Sequence, residues 1–158
     1  MTRFLTLISI LAILLTPSRS AAQSRTAFYE AFAGKSTTAI DAQLRQLGNY
    51  AGGAEKQAFA GALEMRKAGL LNVPAKKLAL FKQGHKKLEA AVAASPQNGE
   101  FRLLRLMIQE NAPKNLGYSK NITEDSKMVK EQYTSLPPAA RQSLRNYSKI
   151  SKSLAGLN

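Results

Sequence analysis

From residue 23 onward, apolar positions recur three and four residues apart. No stretch alternates apolar with polar side chains as a half-buried strand does. The spacing predicts a short helix over Thr26–Ala33, ended by Gly34. A second is capped by Ser36, Thr37 or Thr38, carries Ile40, Leu44 and Leu47, and is stopped by Gly48-Asn49, both tolerant of left-handed backbone. A third is expected from Gly53 to Ala68 around Phe59, Ala62 and Leu63, closed by Gly69. Pro74, suited to a first helical turn, opens a long helix to Ala94 with Leu78, Phe81, Leu88, Ala91 and Val92 on its apolar side. Ser95-Pro96-Gln97-Asn98-Gly99 is the strongest loop signal in the chain.

Glu100–Asn111 is a strongly apolar helix, with Phe101, Leu104 and Ile108 in line and Leu103 and Met107 beside them, and is the expected centre of the core. The stretch Asn111–Asn121 is irregular. Thr123 is expected to cap the next helix, which carries Met128, Val129 and Tyr133. Glu124 and Asp125 fall in its first turn, where the helix dipole favours carboxylates. Leu136-Pro137-Pro138 breaks it, and a last helix runs to about Leu154 with Leu144, Tyr147, Ile150 and Leu154 on one face. The expectation is an all-α fold of six or seven antiparallel helices, either an irregular bundle or a short helical stack.

The segment ahead of this body follows a different rule. Met1-Thr2-Arg3 precedes 13 mostly apolar residues, Phe4–Thr16, and then Pro17 and the small residues Ser18, Ser20, Ala21 and Ala22. This is the three-part layout of an export signal, with cleavage expected between Ala22 and Gln23. A membrane span needs about 20 apolar residues, and this run falls short of that. The division expected is therefore a leader at 1–22 and one helical domain at 23–158, placed in the periplasm or secreted.

The 158 residues contain no cysteine, no tryptophan and one histidine, with 23 Lys and Arg against 10 Asp and Glu. The absence of cysteine excludes disulfides, thiolate metal sites and a thiol nucleophile. Loss of the leader removes Arg3 and Arg19 and lowers the net charge from +13 to +11.

Gly84, Leu88, Ala91 and Pro96 reproduce the small, large, small and closing-proline positions of a tetratricopeptide unit, and Leu71 matches one of its first-helix apolar positions. Residues from about Ala68 to Asn98 thus resemble one such unit of about 34 residues. The aromatic and glycine of the unit's first helix are absent: Ala68, Asn72 and Ala75 stand at those sites. The resemblance implies a helical-repeat architecture. The block Leu103–Asp125 is similar to small exported helical proteins of Gram-negative bacteria, and carries no site with it.

Catalytic chemistry finds little to work with. His85 lies beside Lys86 and Lys87, and Glu89, one turn on, is the one carboxylate placed to orient it. The ordinary reading is a histidine on a charged face. Glu55, Glu64, Glu89, Glu100 and Glu110 are expected singly on polar faces, and capping accounts for Glu124-Asp125. There is no Gly-x-Ser-x-Gly elbow and no phosphate loop. No catalytic, cofactor or metal residue is assigned, and the chain is read as a protein that binds.

Two surfaces are candidates. Arg141, Arg145, Lys149 and Lys152 repeat at helical spacing on the last helix, and Lys114, Leu116, Tyr118 and Lys120 occupy the irregular stretch. An exposed tyrosine among lysines can anchor a partner, whereas the plainer reading tucks Leu116 and Tyr118 onto the bundle. Export argues against nucleic acid. An acidic envelope protein is the expected partner, with anionic lipid or glycan as the alternative.

Overall fold

The computed structural model describes residues 18–49 and 52–157. Among them are seven α-helices and no strand: α1 Ser18–Ala33, α2 Thr37–Gly48, α3 Ala54–Leu70, α4 Pro74–Ala94, α5 Gly99–Asn111, α6 Ile122–Glu131 and α7 Pro138–Ser148. Short 3-10 turns lie at Lys114–Leu116 and Tyr133–Ser135. The expected leader falls on 1–22. Residues 1–17 lie outside the described residues, and Ser18–Ala22 form the first helical residues of α1.

Punctuation residues set several boundaries. Ser36, the first of the three candidate caps, closes the start of α2, its Oγ accepting from the Ala39 N–H at 3.2 Å. Asn98 does the same for α5, accepting from the N–H groups of Glu100 and Phe101. Pro74 occupies the first turn of α4, where a missing N–H costs nothing.

Other boundaries differ from expectation. Asn49 is right-handed, because its N–H reaches back to Gln46 O and the chain needs no left-handed turn. Gly69 sits inside α3, and Leu71 N–H closes that helix on Ala68 O. Asn121, not Thr123, precedes α6, and no side chain caps it. The last helix stops at Ser148, so Lys149 and Lys152 stand on the turns beyond it and do not extend a helical stripe.

Helices α3 and α4, joined through Leu71–Val73, pack along each other over most of their length. Two glycines allow the approach. A Cβ on Gly61 would stand 2.6 Å from Gly84 O, and one on Gly84 would stand 2.5 Å from Gly61 O. The repeat-like positions Gly84, Leu88 and Ala91 lie buried along α4, whereas Leu71–Val73 form the turn. Helix α5 is the central element, buried at every residue from Gly99 to Gln109. It packs on α3, α4, α6 and α7, while α1 packs on α2, α3 and α7.

Burial of α5 from Gly99 to Gln109 corrects the reading of its charges. Glu100 is buried, and so is Glu64 of α3; neither lies on a polar face. Glu100 accepts from Arg25 at 2.9 Å and from the Tyr29 hydroxyl at 3.0 Å. Glu64 takes Lys87 and Gln83. Asp125 is fully buried and holds two arginines of α5, with Arg102 at 2.9 Å and Arg105 at 2.7 Å, so capping is not its role. A helix buried all round must bring a counter-charge for each ionic side chain it carries, because unpaired charge is costly in a low dielectric.

Candidate functional site

Two expected face residues point outward. Leu78 of α4 is 43% exposed and Ile150 beyond α7 is 77% exposed, whereas Leu144, Tyr147 and Leu154 are buried as expected. Both border an open groove of about 1030 Å³ between α1, α3, α4, α5 and α7, lined also by Pro113, Asn115 and Leu116. Its floor includes Phe32, Met65, Ala68, Met107 and Ile108, all buried. Methionine suits such a floor, since its thioether chain repacks at low cost. The size lies at the upper end of sites that hold a ligand.

Charge is scarce inside the groove. Among the described residues, Glu30, Arg66 and Lys77 are its only charged lining residues. Arg66 is committed, donating to Phe32 O at 2.9 Å and Gly34 O at 2.7 Å, where it satisfies carbonyls left open at the end of α1.

Of the eight candidate partner-binding residues, Leu116 alone lines the groove, and it is 37% exposed. Lys114 and Lys120 are exposed on the same stretch. Tyr118 is not an exposed anchor. It is buried, its hydroxyl donates to Glu89 Oε1 at 2.6 Å, and its ring meets Phe81 and His85 edge-on. It is the one buried residue between Pro113 and Lys120 and pins that turn to α4. Burial, then the hydrogen bond to Glu89, holds its pKa well above the ordinary tyrosine value.

Arg145, Lys149 and Lys152 are exposed, and Arg141 is half-buried. Arg145 donates to the Tyr133 hydroxyl at 2.9 Å and Arg141 to Thr134 O at 3.4 Å.

The catalytic alternative is not assembled. Glu89 spends its carboxylate on Tyr118 and on Arg105 at 3.0 Å, while the His85 ring packs between aromatic neighbours. No group of potential metal ligands occurs among the described residues. No helix among them is long and apolar enough to cross a membrane.

Sequence reasoning missed the groove because its walls come from five helices. The signal within reach was local: Lys77-Leu78 and Lys149-Ile150 each set a large apolar residue directly after an exposed lysine. Comparison with protein families, curated proteins and solved structures finds no match.

Proposed function

We propose that the chain is an exported helical protein that acts by binding, holding an acidic envelope protein against its basic surface. The supporting observation is how charge is distributed. Eight of the ten acidic residues face a lysine or arginine in an ion pair: Asp41, Glu55, Glu64, Glu89, Glu100, Glu124, Asp125 and Glu131. Glu110 takes Ser151 and Ser153 instead. Lys114, Lys120, Lys149 and Lys152 are exposed and outside those pairs. With most acids matched by a cation, the net positive charge of the chain is carried by exposed cations such as these four. Such a field steers acidic partners and suppresses basic ones.

The test compares the protein with its Arg145→Glu, Lys149→Glu, Lys152→Glu variant, both immobilised and exposed to envelope extract and to vesicles of anionic phospholipid. The reading expects a protein retained by the parent, lost on charge reversal, and lost at about half-molar salt, where the screening length falls to a few ångströms. Equal capture by both forms removes it. Retention of vesicles alone replaces it with a peripheral role on anionic lipid or glycan.

A further inference from the structure

Four large hydrophobic residues are exposed among the described residues, and three of them, Leu78, Leu116 and Ile150, stand around this groove. They come from α4, from the turn after α5, and from the segment after α7. Single exposed hydrophobics are ordinary, whereas a cluster rimming a concave apolar floor marks a binding surface. Each is also preceded by an exposed lysine: Lys77 before Leu78, Lys149 before Ile150, and Lys114 two residues before Leu116. None of these three lysines is in an ion pair among the described residues, each of which is formed by other side chains. Lys77 lines the groove, and Lys114 and Lys149 stand next in sequence to residues that line it, so exposed positive charge borders an apolar centre, the layout of a protein interface.

We infer that the groove seats an amphipathic helix of a partner protein, its apolar stripe on the floor and acidic side chains flanking that stripe against Lys77, Lys114 and Lys149. This rests on the acidic-partner reading above and adds the second half of the ligand's chemistry. The volume fits. A helix about 10 Å across rising 1.5 Å per residue fills roughly 120 Å³ per residue, so 1030 Å³ takes about two turns. Two turns are what anchors at i, i+3, i+4 and i+7 span.

The rim favours a macromolecule over a small amphiphile, because a molecule confined to the floor leaves Ile150, 77% exposed, in water. A second copy of the chain brings the same positive rim. The chain's own apolar run, Phe4–Thr16, has no acidic residue to offer the lysines. Among the described residues, Glu30, on the α1 side, is the one carboxylate that lines the groove.

The experiment uses four fluorescent peptides of about 14 residues. They combine a leucine or a glutamine stripe at i, i+3, i+4 and i+7 with a glutamate or a lysine outer face. Anisotropy against the purified protein reads affinity at low and high salt. The leucine-striped, glutamate-faced peptide is expected to bind roughly tenfold or more tighter than the other three. Leu78→Gln with Ile150→Gln lowers its affinity by about tenfold. Lys77→Glu with Lys149→Glu transfers the preference to the lysine-faced peptide.

If the glutamine-striped acidic peptide binds as tightly as the leucine-striped one, the groove inference falls and the basic-surface reading stands. If the lysine-faced leucine peptide binds equally well, the acidic requirement falls and with it the reading beneath. A long-chain fatty acid bound by the protein, with none of the four peptides bound, overturns the helix in favour of a small amphiphile. Circular dichroism of each variant confirms that these exposed positions leave the fold in place.

Discussion

The surroundings of α5 and the groove between α1, α4 and α7 place side chains in opposite ways. At α5, buried from Gly99 to Gln109, charge is taken inward: Arg102 and Arg105 are buried against Asp125, and Glu100 against Arg25 and Tyr29. At the groove, apolar side chains are turned outward: Leu78 and Ile150 project from faces whose spacing marked them for the core. The first arrangement costs desolvation and returns geometry, since a buried carboxylate between two arginines accepts few alternatives. The second costs hydration of apolar surface and returns nothing to the folded chain by itself. Interior charge here serves the fold, whereas the exposed hydrophobic side chains are not used by it.

The largest effect expected lies on the interior side. Asp125→Asn keeps the shape of the side chain and removes the charge, leaving Arg102 and Arg105 buried beside a neutral amide. Breaking one member of a buried pair costs about 3–5 kcal/mol. Urea unfolding should show that loss, with affinity for the acidic amphipathic peptide unchanged in the fraction still folded. A loss under 1 kcal/mol means water reaches the cluster and the two regions are less different than described.

Helices were legible in the sequence because proline, asparagine and serine act locally. Pro74, Asn98 and Ser36 start their helices where the pattern placed them. What could not be read was which side of a helix meets nothing. Leu78 and Phe81 share the apolar side of α4, yet Phe81 packs on the core and Leu78 reaches solvent. Periodicity predicts that a stripe exists. Whether a neighbour covers its far edge depends on helices distant in sequence. Asp125 was misread for the same reason. Its place in a first turn has a sufficient local explanation, and its partners are 20 and 23 residues away.

A smaller effect is expected at the seam beside the groove. Gly84→Ala sets a methyl 2.5 Å from Gly61 O and 2.9 Å from Met65 N, backbone atoms that cannot rotate away. Overpacking of this kind costs about 2 kcal/mol, more than the roughly 1 kcal/mol that alanine gains over glycine in a helix. Since Met65 and Phe81 line the groove, separating α3 from α4 should also weaken peptide binding. Melting and anisotropy on the same variant read both. If stability falls and binding holds, the groove is more rigid than its walls.

Alkali probes the interior from another side. Tyr29 and Tyr118 donate to Glu100 and Glu89, and Tyr147 is bonded to Glu110; burial, then these carboxylates, raises all three above the ordinary tyrosine value. A raised pKa in the fold means the stabilisation is complete below the unfolded value, about pH 10, and is lost as pH climbs towards the folded value. Denaturation midpoints should fall above about pH 10. Tyr118→Phe should flatten that fall and cost about 1.5 kcal/mol at neutral pH, the worth of a hydrogen bond to a charged group. Limited proteolysis near Lys114 should rise with it, because Tyr118 is what holds the turn.

The smallest change in stability is expected where the change in binding is greatest. Leu78→Gln and Ile150→Gln replace side chains that the folded chain covers only in part, and substitutions at such surfaces shift stability by about 0.5 kcal/mol or less. Val129, buried in the core, is the contrast: Val129→Ala deletes packed methyls and should cost about 2 kcal/mol. Measured side by side, the pair separates hydrophobicity that holds the bundle from hydrophobicity that does not. If Ile150→Gln costs as much as Val129→Ala, Ile150 is a packing residue, the groove is shallower than its outline, and the apolar rim loses its meaning as a docking surface. If the cost is near zero while the acidic leucine-striped peptide is no longer held, the folded chain has no use of its own for that side chain.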